Sequence, residues 1–230
     1  MASAASLFAA LAITDEKFCT GTGGVLWGGT RAGLALLDYL RACGPRSPRV
    51  LSLGSGLGAL ELVCACQGGA VLATDLPALR PLLERNLAGN ASAVAAGGGS
   101  LAFEALDWAA APRLPPAVAA RGPFDYALAS DCVFWPELFE PLARTMGALA
   151  RAQAPLPLPF FLLIEPRSPR ELRFLAALEA EGFAHSRLDE RHGECLRGAV
   201  SSACAIFVCT LAEQWGGGAG GDFEEERPRC

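Results

Sequence analysis

Short apolar runs alternate with amphipathic stripes along most of this chain, and this alternation restricts the possible folds more than any other feature. Strand-like runs lie at residues 50–53, 70–74, 100–106, 124–131 and 160–166. Helical stripes lie between them at residues 30–43, 59–67, 75–90 and 136–149, and another follows at 168–183. Strands that alternate with helices form parallel sheets covered on both faces. We therefore predict an α/β fold built on a doubly wound parallel sheet, with two further strands between residues 185 and 211.

The chemically distinctive side chains fall where the predicted strands end. In strand order these residues are Gly54, Gly56 and Gly58, then Asp75, then Asp107 and Trp108, then Ser130 and Asp131. Ligands of doubly wound sheets bind at the carboxyl ends of the strands, near the point where the strand order reverses. The sequence therefore predicts one ligand site shared by four strand ends.

The spacing of two of these elements indicates a cofactor that contains a ribose. The pattern Gly54-x-Gly56-x-Gly58 is weak evidence alone, because glycine-rich turns also occur for packing reasons. Asp75 follows Gly54 by 21 residues, and a carboxylate at that place can accept two hydrogen bonds from a ribose diol. Both a dinucleotide and S-adenosylmethionine satisfy this requirement, and the turn read as Gly54-x-Gly56-x-x-Ala59 also matches the dinucleotide pattern.

The end of the third strand favours S-adenosylmethionine. There Asp107 can accept from an adenine amino group, and the indole of Trp108 offers an apolar face to the adenine ring. The last third of the chain also lacks a second glycine turn of the kind that a dinucleotide-binding half would carry. We therefore predict a methyl-donor site.

Composition excludes several other functions and bounds the domain. The net charge of −5 without a basic stripe argues against direct nucleic-acid binding. No apolar run reaches the roughly 20 residues of a membrane span. The nine cysteines lack zinc-ligand spacing, so we expect no bound metal. We expect their thiols to be reduced, in a cytoplasmic protein that also enters the nucleus.

The domain organisation follows from the same patterns. We expect an N-terminal segment (1–23), one folded domain (24–212) and a disordered Gly-rich acidic tail (213–230). The oligomeric state is left open, with a monomer as the default.

Five motifs together resemble the methyltransferase-like 21 group of eukaryotic seven-strand protein-lysine methyltransferases. They are GVLWGGTRAGLALLDYL, VLSLGSGLGALEL, ATDLPALRPLLERNLAGN, ALDW and ASDCVFWPELFEPL, and the likeness extends from about residue 24 to residue 211. The resemblance implies a Rossmann-like sheet of seven strands, mostly parallel with the last strand antiparallel. It also implies S-adenosylmethionine as the cofactor, S-adenosylhomocysteine as the product, and a protein substrate methylated on lysine.

The resemblance assigns roles to individual positions of this chain. The residues that would contact the donor are Trp27, Gly54, Ser55, Gly56, Asp75, Trp108 and Ser130, to which the strand-end argument adds Asp107. Asp131 would begin the substrate-side motif and could orient the target amine or take its proton through water. Phe134 and Trp135 could form an apolar mouth that favours the neutral amine and attracts the methylated cation.

Three positions depart from the family pattern and leave other readings open. Ser52 stands where the family usually has a carboxylate, Leu57 where it has threonine, and Phe134 where its signature has tyrosine. Alternatives are methylation of arginine, histidine or a small molecule, a dinucleotide-dependent oxidoreductase, and an inactive relative that only binds. For Asn86 and Asn90, which match the family's helix after the second strand, we expect terminal capping.

Overall fold

The structure, a computed structural model, describes residues 2–14, 29–165, 170–200 and 204–214, and these form a three-layer α/β sandwich around one sheet. The strands are β1 (Arg49–Leu53), β2 (Ala70–Asp75), β3 (Ser100–Ala105), β4 (Tyr126–Ser130), β5 (Phe160–Ile164), β6 (Phe183–Leu188) and β7 (Ala205–Leu211). The helices are α1 (Ala4–Ala10), α2 (Thr30–Cys43), α3 (Ala59–Cys66), α4 (Arg80–Gly89), α5 (Ala91–Gly97), α6 (Pro116–Ala119), α7 (Phe139–Ala152) and α8 (Arg173–Ala180).

The order of the strands is β3-β2-β1-β4-β5-β7-β6. The first five strands pair in parallel, whereas β7 runs antiparallel to both β5 and β6. The predicted doubly wound, mostly parallel sheet with an antiparallel last strand is confirmed. The order reverses between β1 and β4, and this is where such sheets leave a crevice for ligands.

Alternate residues of the central strand enter two separate cores. Val50 packs in the core beneath α2 and α3, whereas Leu51 and Leu53 face the core beneath α7 and α8. Both faces of β1 are therefore buried, which explains why its sequence is a continuous apolar run. Within the described chain no helix is both long and apolar enough to cross a membrane.

The three short helices α1, α5 and α6 were not predicted from the sequence, and one predicted helix is divided. The predicted helix at 75–90 consists of a 3₁₀ turn (Pro77–Leu79) followed by α4, and α5 comes directly after it. Only Val94 of α5 is buried, so its small residues give no apolar stripe to detect. Helix α6 lies between β3 and β4, where no helix was predicted.

The expected capping is confirmed for Asn90 and wrong for Asn86. Asn90 is the C-cap of α4, and its Nδ2 donates to the carbonyl of Asn86 in the last turn of that helix at 2.8 Å. Asn86 lies inside α4. Each side chain also pairs with one backbone position of the N-terminal segment. Asn90 Oδ1 accepts from the N–H of Ala12 at 2.8 Å, and its Nδ2 donates to the carbonyl of Ala12 at 2.9 Å. Asn86 makes the same pair with Thr14, at 2.9 and 3.1 Å, and also donates to the carbonyl of Leu57 at 3.0 Å. We call Asn86 and Asn90 the asparagine clamp.

Candidate functional site

The predicted site residues converge on one cavity of about 320 Å³ at the carboxyl ends of the strands. Those that line it are Gly54, Ser55, Gly56, Asp75, Asp107, Trp108, Ser130, Asp131, Phe134 and Trp135. Trp27 lies outside the described residues. The sequence thus identified the residues that the fold brings together, although their separation along the chain reaches 81 positions between Gly54 and Trp135.

The glycine turn after β1 brings the backbone to the cavity wall. Gly54 and Gly56 have φ values of 64° and 52°, a conformation that disfavours side chains. A Cβ on Gly54 would lie 2.6 Å from Cys132 Sγ and 3.2 Å from the indole of Trp108. The turn therefore leaves bare backbone beside the space that a ligand would occupy.

Asp75 connects the end of β2 to this turn. Its Oδ2 accepts from the N–H of Gly56 at 2.8 Å, and its Oδ1 accepts from the N–H of Leu76 at 2.7 Å. Burial raises the pKa of Asp75, and the two backbone donors oppose that rise. A carboxylate offers about four acceptor positions, so Asp75 keeps acceptor capacity for a ligand.

Asp107 and Trp108 form the wall that follows β3. The Asp107 carboxylate accepts from the N–H of Ala109 at 2.9 Å and so starts a 3₁₀ turn (Trp108–Ala110) that holds the indole against Gly54. Trp108 Nε1 is buried and has no hydrogen-bond partner in the described part of the chain. Because buried donors are normally satisfied, this atom fits a site that receives a polar ligand.

Asp131 occupies a strained position directly after β4. Its φ of 53° is the one positive value among the described non-glycine residues. Its N–H donates to the carbonyl of Leu163 at 3.0 Å, and its Oδ2 accepts at 3.1 Å from the N–H of Gly29, the residue before α2. Asp131 therefore fixes the start of α2 as well as lining the cavity, and strain at such sites commonly accompanies function.

Phe134 and Trp135 form an aromatic side of the cavity mouth. Their ring centroids are 5.6 Å apart, and Trp135 is 49% exposed. A 3₁₀ turn (Pro136–Leu138) follows and leads into α7. The exposed side chain of Leu76 also lines the cavity, so the mouth carries apolar surface from two parts of the chain.

Glu61 also lines the cavity and was not predicted from the sequence. This residue lies in the first turn of α3 and is only 5% exposed. It accepts a hydrogen bond from the Ser52 hydroxyl. Burial raises the pKa of Glu61 to about 7, and the nearby Asp75 contributes to the rise. One charged residue inside the otherwise apolar run ALELVCAC was the available signal.

In the described residues there is no group of three or more His, Cys, Asp or Glu side chains that could hold a metal ion. The chemistry of the site instead combines bare backbone, carboxylate acceptors and aromatic faces. These groups fit a nucleoside with an apolar ring and a flexible polar tail.

A profile of the lysine methyltransferase family matches residues 9–181. This chain belongs to the lysine methyltransferase family. The family predicted from the five motifs is thereby confirmed. Mouse EEF1A lysine methyltransferase 3 is 31% identical over 120 residues, which are 51% of this chain and 48% of the relative. The match therefore spans about half the length of that curated relative.

Solved methyltransferase structures share the fold of this lysine methyltransferase family member. The rRNA methyltransferase AviRa from Streptomyces viridochromogenes has a TM-score of 0.57 at 16% identity, with 94% of this chain and 96% of that chain covered. Magnesium protoporphyrin IX methyltransferase from Synechocystis, solved with bound S-adenosylmethionine, has a TM-score of 0.51 at 18% identity. The structural match covers 85% of this chain and 88% of the Synechocystis chain. At these identities the likeness establishes the fold.

Proposed function

We propose that this protein transfers a methyl group from S-adenosylmethionine to a lysine side chain of another protein. Membership in the lysine methyltransferase family supports the reaction class. The observation that carries the proposal is the shared cavity, in which Asp75 and Trp108 both lie against the glycine turn. A nucleoside placed there would meet a ribose acceptor and an aromatic face at once.

The donor would lie across the four strand ends. Asp75 would accept from the ribose diol, Asp107 would accept from the adenine amino group, and Trp108 would cover the ring. The backbone from Gly54 to Gly56 and the Ser130 side chain would contact the methionine part. When bound, S-adenosylmethionine supplies a methyl group activated by a sulfonium. The protein's contribution is to hold acceptor and donor in line and to exclude water.

The aromatic mouth would prepare the acceptor. A lysine amine has an unperturbed pKa of about 10.4 and must be neutral to attack. Phe134 and Trp135 would disfavour the charged form by removing water, and their faces would attract the methylated product. Asp131 would position the amine indirectly, because its carboxylate already holds the start of α2.

The substrate is tested by incubating the protein with labelled donor and cell lysate, then locating the label by mass spectrometry. Purified EEF1A is the first single substrate to try, because the mouse relative is named for it. We expect label on lysine with the wild-type protein and loss of label with Asp75→Ala. Label on arginine, histidine or small molecules without label on lysine would contradict the lysine assignment; Phe134, which lacks the hydroxyl of the family's signature tyrosine, motivates including those acceptors.

Cellular location and oligomeric state are further predictions from the sequence. We infer a cytoplasmic protein, also present in the nucleus, that acts as a monomer on protein substrates. Fluorescence microscopy of the tagged protein tests the location, and light scattering tests the oligomeric state.

A further inference from the structure

Glu61 is a buried carboxylate in the cavity wall to which the mechanism above gives no role. A buried carboxylate is costly unless it is paired or hydrogen-bonded. Its carboxylate accepts from the neutral hydroxyl of Ser52 and from the backbone N–H of Glu61 itself, and no ion pair joins it to a basic side chain in the described part of the chain. The described residues therefore keep an acid in this wall without a basic side chain to neutralise it.

The groups around Glu61 do not compensate its charge either. Asp75, at the end of β2, acts on it as a second negative charge. The thiols of Cys64, on the same helix, and Cys132, after β4, are buried, and both have pKa values raised in part by Glu61. Ser52, from β1, only donates a hydrogen bond. Among the described residues, acidic and neutral groups thus surround this part of the cavity, which leaves it suited to a cationic ligand.

The donor and its product differ in charge at the part of the molecule that would lie beside the glycine turn. S-adenosylmethionine has an ammonium, a carboxylate and a sulfonium in its methionine part. Transfer of the methyl group leaves a neutral thioether, so the product carries one positive charge fewer. A carboxylate close to this part of the ligand attracts the donor more strongly than the product.

We propose that Glu61, held by Ser52, is a cofactor-binding residue whose carboxylate balances the cationic methionine part and so favours the methyl donor over its demethylated product. The inference rests on the proposed function. It places a selective contact at the start of α3, next to the turn that contacts the ligand. Loss of the sulfonium charge on transfer would weaken this contact and favour exchange of product for donor.

The ionisation of Glu61 gives the proposal a signature in pH. Its pKa of about 7 means that the carboxylate is mostly protonated at pH 5.5 and about half ionised at pH 7.0. This window lies below the ordinary titration of an α-ammonium group, about pH 7.7–8.0. Asp75 would contact the ribose, which is the same in donor and product, so its titration affects both ligands alike.

The test is isothermal titration calorimetry of S-adenosylmethionine and S-adenosylhomocysteine between pH 5.5 and pH 7.0. The wild-type protein is compared with Glu61→Gln and with Glu84→Gln, a matched change on the exposed surface of α4. We expect the donor to bind up to about 15-fold more tightly at pH 7.0 than at pH 5.5 in the wild type and in Glu84→Gln, with a much smaller change for the product. In Glu61→Gln the pH dependence of the donor-to-product ratio should disappear.

Proton release provides a second readout that needs no variant. Donor binding to the wild type at pH 6.5, measured in buffers of different ionisation enthalpy, should release a fraction of a proton. Binding of both ligands with a donor-to-product ratio that is the same in Glu61→Gln, or with no proton release, would overturn this inference and leave the proposed function intact. Failure of both ligands to bind the wild type would overturn the proposed function itself.

Discussion

At the scale of single residues, Asp75 is the side chain on which the cofactor assignment most depends. Its carboxylate is fixed by the N–H groups of Gly56 and Leu76, so it can accept from a ribose without reorganising. Asp75→Ala should weaken binding of S-adenosylhomocysteine by about 1–3 kcal/mol, as expected for loss of charge-assisted hydrogen bonds. Calorimetry measures this, with Glu84→Gln as the control. An unchanged affinity would remove Asp75 from the site.

Glu61 should make stability depend on pH. Because folding raises its pKa from 4.5 to about 7, the folded protein retains a proton that the unfolded chain has lost, and stability falls as pH rises between these values. The wild type should lose up to about 3 kcal/mol relative to Glu61→Gln between pH 4.5 and pH 7.5. Urea unfolding at several pH values measures the difference, and parallel stability curves for the two proteins would contradict it.

Two departures from the family pattern are explained by contacts that the sequence alone does not show. Ser52, where the family usually has a carboxylate, donates to the carboxylate of Glu61, so an acid is still present there. Leu57, where the family has threonine, is buried with Leu79 and Leu82 in a small core next to the cavity. Both explanations depend on contacts between elements, which a strand or helix pattern does not contain.

At the scale of elements, the asparagine clamp joins the N-terminal segment to α4. Both side chains are buried, and each satisfies one backbone donor and one backbone acceptor of the N-terminal segment. Asn86 also reaches the carbonyl of Leu57, which lines the cavity. The clamp therefore couples the segment after α1 to the glycine turn.

Breaking the clamp should loosen this segment. Asn90→Ala should increase amide hydrogen exchange at residues 12–14, because it removes buried hydrogen bonds worth about 1–3 kcal/mol. Asn86→Ala should do the same and also weaken binding of S-adenosylhomocysteine through the turn. Exchange that stays at the wild-type rate in both variants would show that the clamp does not hold the segment.

Elements with a strong apolar pattern were predictable, and those without one were not. Helix α2 was predicted at its observed bounds, because its buried leucines recur with helical spacing. Helix α5 is composed of small residues, and α6 is a single short turn after a proline-rich stretch, so neither presents a stripe. The pairing of the asparagine clamp with the N-terminal segment was not predicted, because its partners Ala12 and Thr14 lie more than 70 positions away in the chain.

At the scale of the whole molecule, the parallel topology explains why a site spread over the chain could be predicted. Parallel strands place all their carboxyl ends at one edge, so residues after β1 to β4 had to meet. By contrast, the position of β7 between β5 and β6 could not be predicted from the alternation of strands and helices. The antiparallel direction of the last strand was expected only from the family resemblance.

The central claim is that these strand ends form one cavity for a methyl donor. Calorimetric titration of the wild-type protein with S-adenosylhomocysteine, beside oxidised nicotinamide adenine dinucleotide, tests it most directly. We predict saturable binding of S-adenosylhomocysteine at one site per chain and no measurable binding of the dinucleotide. Saturable binding of the dinucleotide alone would contradict the account.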